Sequence, residues 1–143
     1  MGNLSYEIDP GSPPDFRVAR AGALLILRWH ETHTYVLDVD LDQFVAVDLP
    51  PDTRASGLTP DGTKIVVTTN RFGSANAGLY DLATGRQNWY GETTDDGSYA
   101  AALSPDGRIL AYLCTPTDLP AAHEIAVRRY DIITGQRGTI WSG

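Results

Sequence analysis

The chain has 143 residues, enough for one domain with its own core, and an apolar content of 42% excludes a disordered chain. Its 18 acidic side chains outnumber 11 basic ones, for a net charge of −7. That balance excludes a broad attraction for nucleic-acid phosphates or for an anionic membrane surface.

The first residues, MGNLSYEIDPGSPPDF, have neither a basic start nor an apolar run, so they do not read as a signal peptide. Tyr6 stands where a myristoylation motif needs Ser or Thr. Residues 1–15 read instead as an N-terminal arm holding at most one strand, Leu4 to Ile8. The longest apolar run, Ala23 to Leu27, is too short to cross a bilayer. The expectation is a soluble cytoplasmic protein. Cys114 is the single cysteine, which excludes an internal disulfide, and its place in ILAYLC predicts a buried thiol.

Taken in chain order, the predicted strands are Phe16 to Ala19, Leu24 to Trp29, Thr34 to Asp38 and Phe44 to Asp48. Then come Ala55 to Thr59, Lys64 to Thr69, Ala77 to Asp81 and Gln87 to Tyr90. The last four are Tyr99 to Ser104, Ile109 to Cys114, Ile125 to Asp131 and Gly138 to Trp141. The second member of each four is almost continuously apolar, as a strand covered on both faces requires. No stretch carries a helical period over a useful length, so the class is all-β.

The fours repeat one another. LTPDGTKIVV at 58–67 returns as LSPDGRILAY at 103–112, and YDLATG at 80–85 returns as YDIITG at 130–135. A fainter copy lies upstream, where Gly22 aligns with Gly62 and Gly107, and Leu37-Asp38 with Tyr80-Asp81. The unit is roughly 40 to 50 residues, a period that marks propellers and arrays. The phrases TPDGTKI and SPDGRIL, each followed by YDLATG or YDIITG, resemble the TolB-type, WD-repeat-like β-propeller family. The first unit departs from the pattern, with Arg20-Ala21-Gly22 for Pro-Asp-Gly and Asp40-Leu41-Asp42 for the Thr-Gly turn. The resemblance implies three four-stranded antiparallel blades, at about 16–54, 55–97 and 98–143. It is nearly silent on function, because propellers serve as scaffolds, binders and enzymes alike.

The repeated polar residues read as turn makers. Proline pre-sets φ, aspartate accepts nearby backbone N–H groups and glycine takes a positive φ. Asp38, Asp40 and Asp42 resemble the start of a calcium loop, but the loop's glycine and closing glutamate are missing. No metal and no cofactor are expected.

Propeller rings close with four to eight blades, so three are too few. The first expectation is a homodimer closing a six-bladed ring, with Asn3 to Ile8 able to add to a partner's edge strand. The other is a fragment, or a ring completed by a different polypeptide. In either case a protein or small molecule is expected at the loop-lined funnel. Ligand-binding candidates are Arg17 and Tyr99, on or beside innermost strands, and the loop residues Arg71, Asp95 and Asp96. The alternative is a small propeller lyase, hydrolase or cyclase using loop residues His30, His33, His123 and Glu31 as acid and base.

Overall fold

The computed structural model describes residues 17–21, 24–29, 33–69, 77–91, 95–117 and 125–143, of which 17–29 and 95–99 are placed by backbone alone. Among them the chain forms twelve strands in three antiparallel sheets of four, each sheet in chain order. The first sheet holds β1 (Arg17–Ala21), β2 (Leu24–Trp29), β3 (His33–Asp38) and β4 (Gln43–Val47). The second holds β5 (Thr53–Leu58), β6 (Lys64–Thr69), β7 (Ala77–Asp81) and β8 (Gln87–Trp89). The third holds β9 (Asp95–Leu103), β10 (Ile109–Pro116), β11 (Ala126–Asp131) and β12 (Arg137–Ser142). The all-β class and the strand positions match the sequence expectation closely. The proposed arm at 1–15 lies outside the described residues.

One stretch differs. Asp95 and Asp96, expected in a loop, begin strand β9 and lie opposite Pro116 and Thr115. The reason is a double irregularity in the β9–β10 pairing. The partners skip from Ala100 to Ser98 at Leu113/Cys114, and from Ser98 to Asp96 at Cys114/Thr115. Tyr99 and Gly97 are the extra residues, and the bulges let pairing run on past the expected strand start.

The two repeated phrases build the same turn twice. The Thr59 hydroxyl donates to Asp61 at 2.6 Å and accepts the Lys64 N–H at 3.0 Å. The Thr63 N–H donates to the same Asp61 oxygen at 3.1 Å. In the third sheet Ser104 donates to Asp106, accepts from the Ile109 N–H at 2.8 Å, and Arg108 N–H donates to Asp106 at 3.1 Å. Gly62 and Gly107 sit at φ of 70° and 73°, open to glycine at little cost.

The turns after β3, β7 and β11 share a second design. Asp38, Asp81 and Asp131 each accept the N–H groups two and three residues on, at 2.9 to 3.1 Å. Gly85 and Gly135 close their turns at φ of 71° and 73°, with Tyr80 and Tyr130 hydroxyls beside them. In the first sheet Asp42 takes that glycine's place at φ of 51°, one of the few residue types that tolerate it. The aspartates of DVDLDQ therefore shape a hairpin, as the repeat alignment predicts.

The sheets pack face to face in order. Strand β1 lies against β5, and β5 and β6 lie against β9, so the first strands stand side by side. Two apolar layers join the sheets. Val36 and Val47 of the first meet Ala55, Ile65, Val67, Tyr80, Leu82 and Trp89 of the second. Val66, Ala77, Leu79 and Tyr90 of the second meet Leu110, Tyr112, Cys114, Ala126, Tyr130 and Ile132 of the third. Cys114 is fully buried, as predicted for its thiol.

Candidate functional site: the two open sheet faces

The two layers follow one scheme. Aligning the repeats places Val36, Leu79 and Arg129 at one position, and Val47, Tyr90 and Ile140 at another. These sit on the trailing face, toward the next sheet. Likewise Leu37, Tyr80 and Tyr130 correspond, as do Val39, Leu82 and Ile132. These sit on the leading face, toward the preceding sheet. Among the described residues, only the second sheet has both faces covered.

The cost of an uncovered face can be read from equivalent residues. On the trailing side, Val66 and Thr68 are each 1% exposed, while their counterparts Ala111 and Leu113 are half-buried. Ala77 is fully buried, while its counterpart Val127 is half-buried. Pairing aligns Ala100, Leu113, Val127 and Trp141 in one row across β9 to β12. Trp141 ends that row 54% exposed, and Ile140 beside it is 57% exposed. On the leading side, Leu82 and Ile132 pack into the layers, whereas Val39 is 50% exposed. Beside it Tyr35 and Phe44 stack on each other with centroids 4.8 Å apart. Apolar side chains gathered on two opposite faces are what docking surfaces require, and scattered surface leucines are not.

Electrostatics at the turn end serve the sheets themselves. Arg108 grips one Asp131 oxygen with Nε at 2.8 Å and Nη2 at 2.6 Å. That grip holds the Asp131 carboxyl well below the usual carboxylate range and raises the arginine. The Thr59 hydroxyl, then the Thr63 bonds, bring Asp61 down to about 2. A cleft of about 360 Å³ between the second and third sheets is lined by Asp61, Lys64, Tyr90, Asp106 and Ile132. Both of its carboxylates are engaged by their own turns. Among the described residues no three His, Cys, Asp or Glu side chains gather as metal ligands.

The sequence-derived candidates that the structure describes fall on the opposite end. His30, Glu31, Arg71 and His123 lie outside the described residues. Arg17 lies on β1 opposite Arg28, and Tyr99, Asp95 and Asp96 lie on β9, all by backbone position. His33 opens β3 opposite Trp29 and is exposed. Sequence reading went only as far as counting three blades, too few to close a ring. It did not name Val39, Ile140, Tyr35 or Phe44, although for Val39 and Ile140 the repeat alignment carries the signal: Leu82, Ile132 and Tyr90 are their covered counterparts.

No protein-family model and no curated protein sequence matches the chain. Solved structures do. A putative TolB from Agrobacterium tumefaciens superposes with a TM-score of 0.66 at 15% identity, over 92% of this chain and 50% of that one. Oligogalacturonate lyase from Vibrio parahaemolyticus gives 0.61 at 15% identity, over 92% and 42%. An auxiliary nutrient binding protein from Bacteroides thetaiotaomicron gives 0.63 at 13% identity, over 87% and 29%. The fold is β-propeller-like. The likeness covers nearly all of this chain. The chain spans at most half the length of each.

Proposed function

We propose that the chain is a propeller-type binding module: three blades whose two open faces take up further blades and so complete a ring. The observation that carries this reading is the pair of apolar faces, Tyr35, Val39 and Phe44 at one end and Leu113, Val127, Ile140 and Trp141 at the other. Each is the uncovered counterpart of a face that is buried inside the chain. Burying such area returns roughly 25 cal/mol per Å², which gives the faces a strong drive to be covered. In the completed ring, first strands surround the axis, so Arg17 on β1 and Tyr99, Asp95 and Asp96 on β9 are the residues proposed to meet a ligand there, with Arg71 from the loops.

The test is a dilution series of the purified chain, followed by light scattering and by a dye that fluoresces on apolar surface. The reading expects either assemblies heavier than 15.5 kDa, or a monomer whose faces take up the dye. A folded 15.5 kDa monomer that stays monomeric at high concentration and takes up no dye would end it.

A further inference from the structure

We infer that the occupant of both open faces is a second copy of this chain, with the third blade of each copy seated on the first blade of the other. The inference rests on the reading above and names its partner. Three observations carry it.

The first is continuity with interfaces already present. Within the chain, the trailing position of one blade meets the leading position of the next. Val47 joins the layer of Tyr80, and Tyr90 joins and stacks on Tyr130. The next trailing residue in the series is Ile140, exposed, and among the described residues the leading position with no sheet before it is Leu37, with its neighbour Val39. Extending the series by one step sets Ile140 over Leu37.

The second is chemical match. Inside the chain the series pairs Tyr90 with Tyr130, aromatic on aromatic. At the closing step it pairs Ile140 with Leu37 and Val39, aliphatic on aliphatic. Trp141 and Val127 then face the neighbourhood of the Tyr35–Phe44 stack. The exposed Arg129 shares the trailing face, at the position of Val36 and Leu79.

The third is closure. A contact between two different faces makes either a ring or an endless filament, depending on the rotation it generates. Three blades of a six-bladed ring turn through about 180°, so two copies bring the contact back on itself about a twofold axis.

The experiment uses the whole 143-residue chain. Light scattering of the wild type is expected to give twice 15.5 kDa. Ile140→Lys and Val39→Glu, both at exposed positions, each place two like defects in the dimer and should weaken association at least tenfold, giving folded monomers by circular dichroism. Mixed one to one, they are expected to regain the doubled mass. In the mixed dimer one contact is untouched and the other sets lysine against glutamate. A mixture that stays monomeric while both variants remain folded overturns the third-to-first seating. A wild type that is monomeric yet takes up the apolar-surface dye overturns the second copy as occupant and leaves the binding-module reading standing. A monomer without dye uptake sinks both.

Discussion

Tyr90 and Tyr130 stack across the boundary between the second and third sheets, with ring centroids 5.0 Å apart and planes 27° from parallel. Arg137 lies 4.9 Å above the Tyr130 ring, so the boundary ends in a layered set of three flat groups. Burial, and then the neighbouring Tyr130, raise the Tyr90 hydroxyl above its ordinary pKa. The ring, and not its charge, therefore holds the boundary. Tyr90→Ala should lower stability by about 2 kcal/mol, while Tyr90→Phe stays within about 0.5 kcal/mol of wild type. Urea unfolding of the two variants checks this, and equal losses would mean that the hydroxyl matters.

The turn at Asp42 offers a gain. Its φ of 51° is one that glycine adopts freely, and the equivalent residues are Gly85 and Gly135. Asp38 and Asp40 crowd the same hairpin with negative charge. Asp42→Gly should therefore raise the thermal midpoint modestly. Gly85→Ala, at φ of 71°, should cost about 1–2 kcal/mol. Calorimetry of the pair tests the expected opposite signs.

The Arg108–Asp131 pair should outweigh its counterpart in the second sheet. Asp131 is 10% exposed and held by two guanidinium nitrogens, whereas Asp81 is 27% exposed with Lys64 at 3.7 Å. A forked, shielded pair retains more of its attraction than a single contact open to solvent. Asp131→Asn should lower the urea midpoint more than Asp81→Asn. Arg108→Lys should recover only part of the difference, because an ammonium lacks the fork.

Acid should loosen the turns. Asp61, Asp81, Asp106 and Asp131 all have folded-state pKa values below the ordinary carboxylate value of 3.8. Depressed carboxylates contribute stability that is full above the unfolded value and lost as pH falls through the folded one. For Asp61 that window runs from 3.8 down to about 2. The urea midpoint should hold above pH 5 and fall steadily below about pH 4. In Thr59→Val, which removes the largest cause of the Asp61 shift, the fall attributable to that group should be smaller and complete at a higher pH.

Much of the fold is legible in the sequence because its turns are chemically loud. Pro-Asp-Gly and Asp-x-x-Thr-Gly need specific φ values and specific acceptors, so they mark every strand end they touch. Asp95 and Asp96 escape such reading because bulges at Tyr99 and Gly97 extend β9 without any turn residue to announce it. The Arg108–Asp131 pair is equally silent, since its members are 23 residues apart and meet only once two turns lie side by side. The open faces sit between these cases. Val39 looks ordinary by itself, and its meaning appears only when its position is matched to Leu82 and Ile132.

The second sheet, covered on both sides, is the keystone of the chain's unfolding order. Every residue from Ile65 to Thr69 is buried, and a module of stacked repeats loses its ends before its middle. Amide hydrogen exchange should be slowest along β6 and faster on β4 and β12, whose sheets have one side that no described residue covers. Adding a neighbour at each end should slow the terminal strands while leaving β6 nearly unchanged. The protein would then gain its cooperativity from association, in the way that a row of tiles stops peeling once its two ends meet.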